Sequence, residues 1–457
     1  MTIAETEIPT ETIANPTAGH APEPTIPDGH PPFPPDMRRI DLSSPEFRED
    51  AFRLYEEMRA QCPVSRAIIT SSDGGEDAQA ILNQPVWLVT DYEEGNRALL
   101  DRAVTVDFTS VLTPEQIAQF PETPEEFKPL QKNILSVDPP EHTRLRKLVQ
   151  PSFTASAIEK LRPRIQQITD ELLDRAEANA ARRGETAPHR TMELIADFTY
   201  PLPITVISEM LGVPAEDRDK THRWSENLLT SRNPAKQEEI GRDIAEFIAY
   251  LRELFAKKRE EPGEDMISDL LQVEVDGDRL TEDEVLAMVF ILFIAGHVTT
   301  VNLIANGVYA LLTNPEQAEK LRRDPSLAAN AVEETLRYYG PAESTIPRWV
   351  REEIELGGQT LSKGDPLMVL LAAADRDPAR FSDPNTFDIS REDANRHIAF
   401  GKGIHACLGA PLARVEGQIA LETLFRRYPQ LKLGAPTEDI TWAPSFLRGL
   451  MRLPVEF

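Results

Sequence analysis

The stretch Thr281–Thr313 constrains this chain more than any other. Thr281 and Glu284 form a capping-box pattern at its start, in which hydroxyl and carboxylate each satisfy the other residue's backbone amide. Asn314-Pro315 ends it, because proline cannot continue a helix. A helix of that length runs about 50 Å, far beyond an average one. Its first half, including Val285, Leu286, Met288, Val289, Phe290, Ile291, Leu292 and Phe293, is apolar on nearly every side. It therefore has to be buried on nearly every side. The run from Val285 to Gly296 is shorter than the roughly 20 residues a bilayer span needs. Its expected place is the middle of a helical core.

The rest of the chain from about Phe47 onward supplies such a core. Phe47–Gln61 is amphipathic, and Glu141–Leu148 reads as a helix entered from Pro139-Pro140. Ala155–Arg182 and Lys236–Lys258 carry long helical patterns with charged outer faces. Pro315–Arg323 and Leu327–Tyr339 follow, the second stopped by Gly340-Pro341. Short strand-like runs occur at Val86–Thr90, Ile346–Val350, Ile354–Leu356, Leu367–Leu371 and Leu431–Leu433. No internal repeat, βαβ alternation or phosphate-binding glycine loop is visible. The expected fold is mainly α, a large helical domain over residues 36–457 with a small β-rich portion and a long central helix. Residues 1–35 are rich in Pro and Thr and lack Lys and Arg. They are expected to form a disordered extension, without the marks of a signal or transit peptide.

The chemistry concentrates in Phe400-Gly401-Lys402-Gly403-Ile404-His405-Ala406-Cys407-Leu408-Gly409. The glycines allow sharp turns and close approach to a ligand. Leu412, Val415, Ile419 and Leu424 mark a helix over Leu408–Arg427. The amides and positive end of that helix favour a thiolate at Cys407. A cysteine by itself reads as a small buried hydrophobe, and His405 with Cys407 gives only two zinc ligands where four are needed. The whole frame, down to Leu412-Ala413-Arg414, resembles the cysteine-ligand loop of the cytochrome P450 superfamily, in its bacterial, soluble, ferredoxin-dependent form. The resemblance implies a haem-thiolate monooxygenase: haem b (iron protoporphyrin IX) on Cys407, with dioxygen as co-substrate.

It runs from about residue 45 to the C-terminus and assigns further residues. Phe400, Gly401 and Gly409 belong to the haem-binding loop. His142, Arg146, Arg348 and His405 match positions that contact the haem propionates. Glu334 and Arg337, in Glu333-Glu334-Thr335-Leu336-Arg337, match a buried pair locked to a later meander, where Arg380 and Arg391 are candidate partners. Ala295-Gly296-His297-Val298-Thr299-Thr300 matches the oxygen-side motif, with Gly296 leaving room for dioxygen and Thr299 and Thr300 as catalytic hydroxyls. Thr299 is expected to bond its preceding turn and open the helix slightly. One residue departs from the pattern. Val298 stands where an Asp or Glu normally feeds protons. His297 and Thr299 with water, a substrate hydroxyl or carboxylate, or direct use of hydrogen peroxide would each complete the reaction. A non-catalytic haem protein is the reading of a different class.

Composition limits the partners. With 49 Lys+Arg against 76 Asp+Glu, the net charge of −27 argues against nucleic acid and anionic membranes. Two cysteines, Cys62 and Cys407, give no disulfide framework, in keeping with a reducing cytoplasm. No flavin or nicotinamide fingerprint and no cysteine cluster is present. Electrons are therefore expected from external NAD(P)H through a ferredoxin or flavodoxin and its reductase. Arg144, Lys147, Arg396, Lys402, Arg414, Arg426 and Arg427 form the expected docking patch. Phe108, Leu112, Phe293, Val298, Thr345, Ile346 and Phe446 are expected to line an apolar pocket. The substrate is then lipophilic, such as a polyketide, macrolide, terpenoid, steroid or fatty acid. A cytoplasmic monomer is the expected state.

Overall fold

The long helix spans Glu282–Thr313, capped by Thr281 in a closed capping box. The Glu284 amide donates to Thr281 Oγ1 at 3.2 Å, and the Thr281 amide donates to Glu284 Oε2 at 2.8 Å. In the computed structural model of the chain, residues 37–457 are described except 42–43, 71–84, 119–122, 124, 188, 218–219, 222, 225–236, 276 and 444. The extension expected over residues 1–35 lies outside the described residues. The long helix packs against Pro201–Leu211, Ala328–Tyr339 and Ala410–Arg427. Leu286, Val289, Phe293, Ile304, Val308 and Leu311 are fully enclosed there. Each such side chain contributes about 1.5–3 kcal/mol through removal of apolar surface from water. The helix is long and apolar enough to cross a membrane, yet half of its most apolar window is already buried by its neighbours.

The β portion is a six-stranded mixed sheet. Its spatial order is Arg39–Asp41, Val64–Thr70, Pro85–Val89, Pro366–Val369, Arg348–Val350 and Val104–Thr105. The first two strands pair in parallel, as do Pro85–Val89 and Pro366–Val369, with Trp87 opposite Leu367. The second of these pairs joins segments 280 residues apart (Trp87 and Leu367), which no local pattern announces. The first is a βαβ unit, Arg39–Asp41, Pro45–Gln61 and Val64–Thr70, that the sequence reading did not expect. Several expected boundaries move by one or two residues, and two of the changes alter an element. Ala155–Arg182 is two helices, Ala155–Glu159 and Arg162–Arg182, because Pro163 has no amide to bond back across the break. The strand expected over Leu367–Leu371 ends at Val369, and Leu371–Ala374 turns helical.

A buried ion cluster joins the helices to the segment ahead of the cysteine loop. Arg337 Nε and Nη2 donate to Glu334 Oε2 and Oε1 at 2.7 and 2.8 Å, with both side chains 0% exposed. Of the two candidate partners, Arg391 completes the cluster, 3.2 Å from Glu334, whereas Arg380 pairs with Asp393. Arg337 also donates to the carbonyls of Asp375, Pro384 and Thr386. Removing one partner would leave a buried charge uncompensated, at about 3–5 kcal/mol.

Glu416, on the helix after the cysteine loop, has no such partner. Its Oε2 is buried without a hydrogen bond, and burial pushes its pKa up to about 8. The unfolded chain ionises this acid near 4.5 while the folded chain keeps it protonated to about 8. Stability is therefore lost as pH rises between those values. Glu416→Gln should gain on the wild type by about 1.4 kcal/mol per pH unit across that window, measured by denaturant unfolding at pH 5 to 8. Parallel stability curves for the two proteins would contradict this.

Candidate functional site

The cysteine loop is shaped by glycines in a conformation other residues avoid. Gly401 and Gly403 have φ of 67° and 72°, and a side chain on Gly403 would begin 2.8 Å from the Leu99 carbonyl. The Gly401 amide donates to Ile398 O at 2.7 Å and the Cys407 amide to Phe400 O at 2.8 Å. Phe400 is half-buried beneath the Arg414 guanidinium, 4.7 Å away. The following helix begins at Ala410 with Gly409 as its cap. Cys407 is an exposed residue, yet enough atoms surround its sulfur that burial pushes the thiol pKa up. The Gly409 and Ala410 amides and the Arg146 and Arg414 charges pull the other way without winning. The helix start alone therefore does not produce a thiolate; a cation bound at the sulfur would tip the balance.

Beside this loop, three of the four residues expected at the propionates, His142, Arg348 and His405, gather around Asp138. His405 Nε2 lies 2.9 Å from Asp138 Oδ1, and the His142 and His405 rings are 4.4 Å apart. Burial alone would raise the Asp138 carboxyl; hydrogen bonds from His405 and Thr105 outweigh it and hold it well below its usual range. Burial also lowers His142 to about 4, so it is neutral at pH 7. Burial lowers Arg348 while the Asp138 charge opposes. His142 Nε2, His405 Nδ1 and Arg348 Nε are all buried with no hydrogen-bond partner. Orphaned buried polar atoms are costly, and this set fits the carboxylates of a haem. Arg146 differs, since its Nη1 donates to the carbonyls of Ile404 and Ala406 at 3.2 and 2.7 Å. It braces the cysteine loop itself.

The long helix presents two faces at the oxygen-side motif. Ala295 is exposed, and Val298 and Thr299 are partly so. Thr299 Oγ1 donates to Ala295 O at 2.9 Å, as expected, although the helix runs unbroken through this turn. Phe293, His297 and Thr300 point the other way. Phe293 packs on Phe247 at 5.1 Å, His297 meets Tyr200 edge-on at 4.8 Å, and Thr300 bonds back to Gly296 O. The expected pocket role of Phe293 and the expected catalytic role of Thr300 are thus corrected, because helical phase turns both into the core. A methyl at Gly296 would meet Ile207 of the Pro201–Leu211 helix at 3.5 Å, an ordinary van der Waals contact.

Phe108, Leu112 and Phe446 are partly buried against one hydrophobic cluster that includes Trp349, and the Phe108 ring lies 5.5 Å from that indole. Ile346 is 45% exposed, and the Thr345 hydroxyl is anchored by the Val369 amide at 3.2 Å. The docking patch is thinner than its sequence suggested. Arg144 is held by Glu141, Asp278 and Glu284, Arg414 by Glu333, and Arg427 by Asp174 and Glu177. Among the described residues, Arg396, Lys402 and Arg426 have no ion pair. Sequence reasoning missed Asp138, for which the only signal was an acid placed just ahead of Pro139-Pro140 and His142.

Comparisons with known proteins agree with this geometry. The family model for cytochrome P450 matches residues 111–448. Cytochrome P450 107B1 of Saccharopolyspora erythraea is 45% identical over 92% of this chain and 98% of that protein. The 6-deoxyerythronolide B hydroxylase of the same organism is 40% identical, over 91% and 98%. The structure of the Bacillus subtilis bacillaene polyketide synthase cytochrome P450 PksS superposes with a TM-score of 0.80 at 35% identity, covering 91% of this chain and 99% of that one. The chain belongs to the cytochrome P450 family.

Proposed function

We propose that in this monooxygenase Cys407 would hold the haem iron as a thiolate and His142, Arg348 and His405 would hold its propionates. Membership of the family makes the chain a haem-dependent oxidoreductase that uses dioxygen and hydroxylates its substrate. Thiolate-ligated haem, when bound, supplies O–O cleavage and the transfer of one oxygen atom. The observation that carries the assignment is the set of three orphaned buried nitrogens around Asp138, next to an accessible cysteine. Arg146 ties the loop carbonyls, and the Gly409 and Ala410 amides favour the ionised sulfur.

On the opposite side, Thr299 Oγ1 holds and passes a proton at the open face of the long helix, where Val298 has none to give. His297 faces the core and takes no part. Water or a substrate hydroxyl completes the relay. The substrate is a lipophilic molecule of polyketide or macrolide type, supported by the apolar group Phe108, Leu112 and Phe446 and by the names of the relatives. Electrons arrive from NAD(P)H through a ferredoxin or flavodoxin and its reductase in the cytoplasm, and the enzyme works as a monomer. The donor docks at the cysteine loop, where Lys402 adjoins Gly403 and the exposed apolar residues Leu100 and Ile404.

Val298 favours a second reading, a peroxygenase that takes hydrogen peroxide directly. The two readings part on one comparison of product formation, with hydrogen peroxide against ferredoxin, reductase and NAD(P)H. The monooxygenase reading expects turnover with the redox partners, and at least tenfold less product per electron in Thr299→Ala, in line with loss of a proton-transfer group. Turnover with peroxide alone, indifferent to Thr299→Ala, would establish the peroxygenase. With the same partners, Lys402→Glu should slow reduction of the protein and weaken its salt dependence, while Arg144→Glu should not alter the salt dependence. Equal effects of the two changes on salt dependence would displace the docking site.

A further inference from the structure

Glu343 lies just ahead of Ser344-Thr345-Ile346 and is buried at the meeting point of three segments. Its Oε2 accepts from Arg48 Nη1 at 2.6 Å and from the Tyr55 hydroxyl at 3.1 Å, both on the helix Pro45–Gln61. Its Oε1 accepts from Arg448 Nε at 2.7 Å, and Nη2 of the same guanidinium lies in ion-pair contact. The backbone of Arg448 is held as firmly as its side chain. Its amide donates to Pro341 O at 2.7 Å, and its carbonyl accepts from Asn306 Nδ2 of the long helix at 3.1 Å. The guanidinium lies against the rings of Phe52 and Trp442 at 4.4 and 4.7 Å.

The residues beside this hub include three of those expected to line the substrate pocket, Thr345, Ile346 and Phe446. Leu447 pairs with Ala342 in a single β-bridge, which sets Phe446-Leu447 alongside the irregular segment leading to Thr345-Ile346. Gly449 backs onto Asn302, one turn beyond Thr299, and a side chain there would collide with the Asn302 amide. Enclosing two guanidiniums around one carboxylate is a poor way to gain stability, since desolvation offsets much of the attraction. Its geometric effect is larger: three hydrogen-bond directions fix one short loop against two helices.

We infer that the Arg48–Glu343–Arg448 clamp sets substrate selectivity by holding Phe446-Leu447 and Thr345-Ile346 as one rigid wall opposite Thr299. The inference rests on the reading of this region as the substrate chamber of a haem enzyme. The clamp residues touch no substrate; they act as positioning residues through the wall they hold. A loosened wall should penalise a ligand large enough to lean on it and spare one small enough to reach the iron without it.

The test uses the full-length, haem-loaded protein and two azoles, imidazole and an imidazole carrying a triphenylmethyl group, titrated by the Soret shift. Glu343→Gln should lose at least tenfold in affinity for the bulky azole while imidazole changes by less than twofold. Amide hydrogen exchange over residues 445–450 should quicken in the same variant. Tyr55→Phe removes one hydrogen bond from Glu343 and should move both readouts the same way by less, which keeps the test alive if Glu343→Gln does not fold. Equal changes for both azoles, or no change in affinity and exchange, would overturn the clamp. A wild type that shows no imidazole shift at all would overturn the haem-site reading beneath it.

Discussion

The rest of the site depends on the buried pair of Glu334 and Arg337. Arg337 spends its remaining donors on the carbonyls of Asp375, Pro384 and Thr386, and Glu334 accepts the Asp388 amide at 2.9 Å. The irregular segment between them is thereby fixed without helix or strand. From it a short chain of bonds reaches the cysteine. Asp375 Oδ1 accepts the Ile398 amide at 2.7 Å, Ile398 O accepts the Gly401 amide, and Phe400 O accepts the Cys407 amide. Burial pushes Asp375 to about 7, so this link holds charge sparingly. A network of this kind gives little net stability; its product is a sulfur held in one place.

The cysteine loop and the open face of the long helix follow opposite electrostatic rules. On the cysteine side, donors are concentrated beyond what the protein itself satisfies: orphaned nitrogens on His142, His405 and Arg348, and a thiol whose burial opposes ionisation. One group that is anionic at its edge and cationic at its centre would relieve both imbalances. On the other side the open face of the long helix offers Ala295, Val298 and Thr299, with one hydroxyl and no charge. On the proposed reading, that asymmetry would separate the task of holding a cofactor from the task of admitting an apolar substrate.

Much of this was legible in the sequence where a motif carries its own geometry. The capping box at Thr281 and Glu284, the spacing of Glu334 and Arg337, and the glycines around Cys407 each predict a local arrangement that forms. What failed to show is non-local or degenerate. A helix that is apolar all round gives no phase, so Phe293 and Thr300 could not be told from Ala295 and Thr299 before packing chose a face. Arg144 reads as a free cation until Glu284, 140 residues away, closes on it. Asp138 gathers residues from three distant segments, and the clamp at Glu343 joins positions 48, 343 and 448. Pairings over such separations leave no periodicity to read.

The central claim is that Cys407 binds the haem iron as a thiolate. The direct measurement is the difference spectrum of the reduced protein with and without carbon monoxide, for the wild type and for Cys407→His. The wild type should show the red-shifted Soret band of a thiolate-ligated carbonyl complex, and Cys407→His should retain haem but lose that band. A wild type without the band, or a variant that keeps it, would contradict the account.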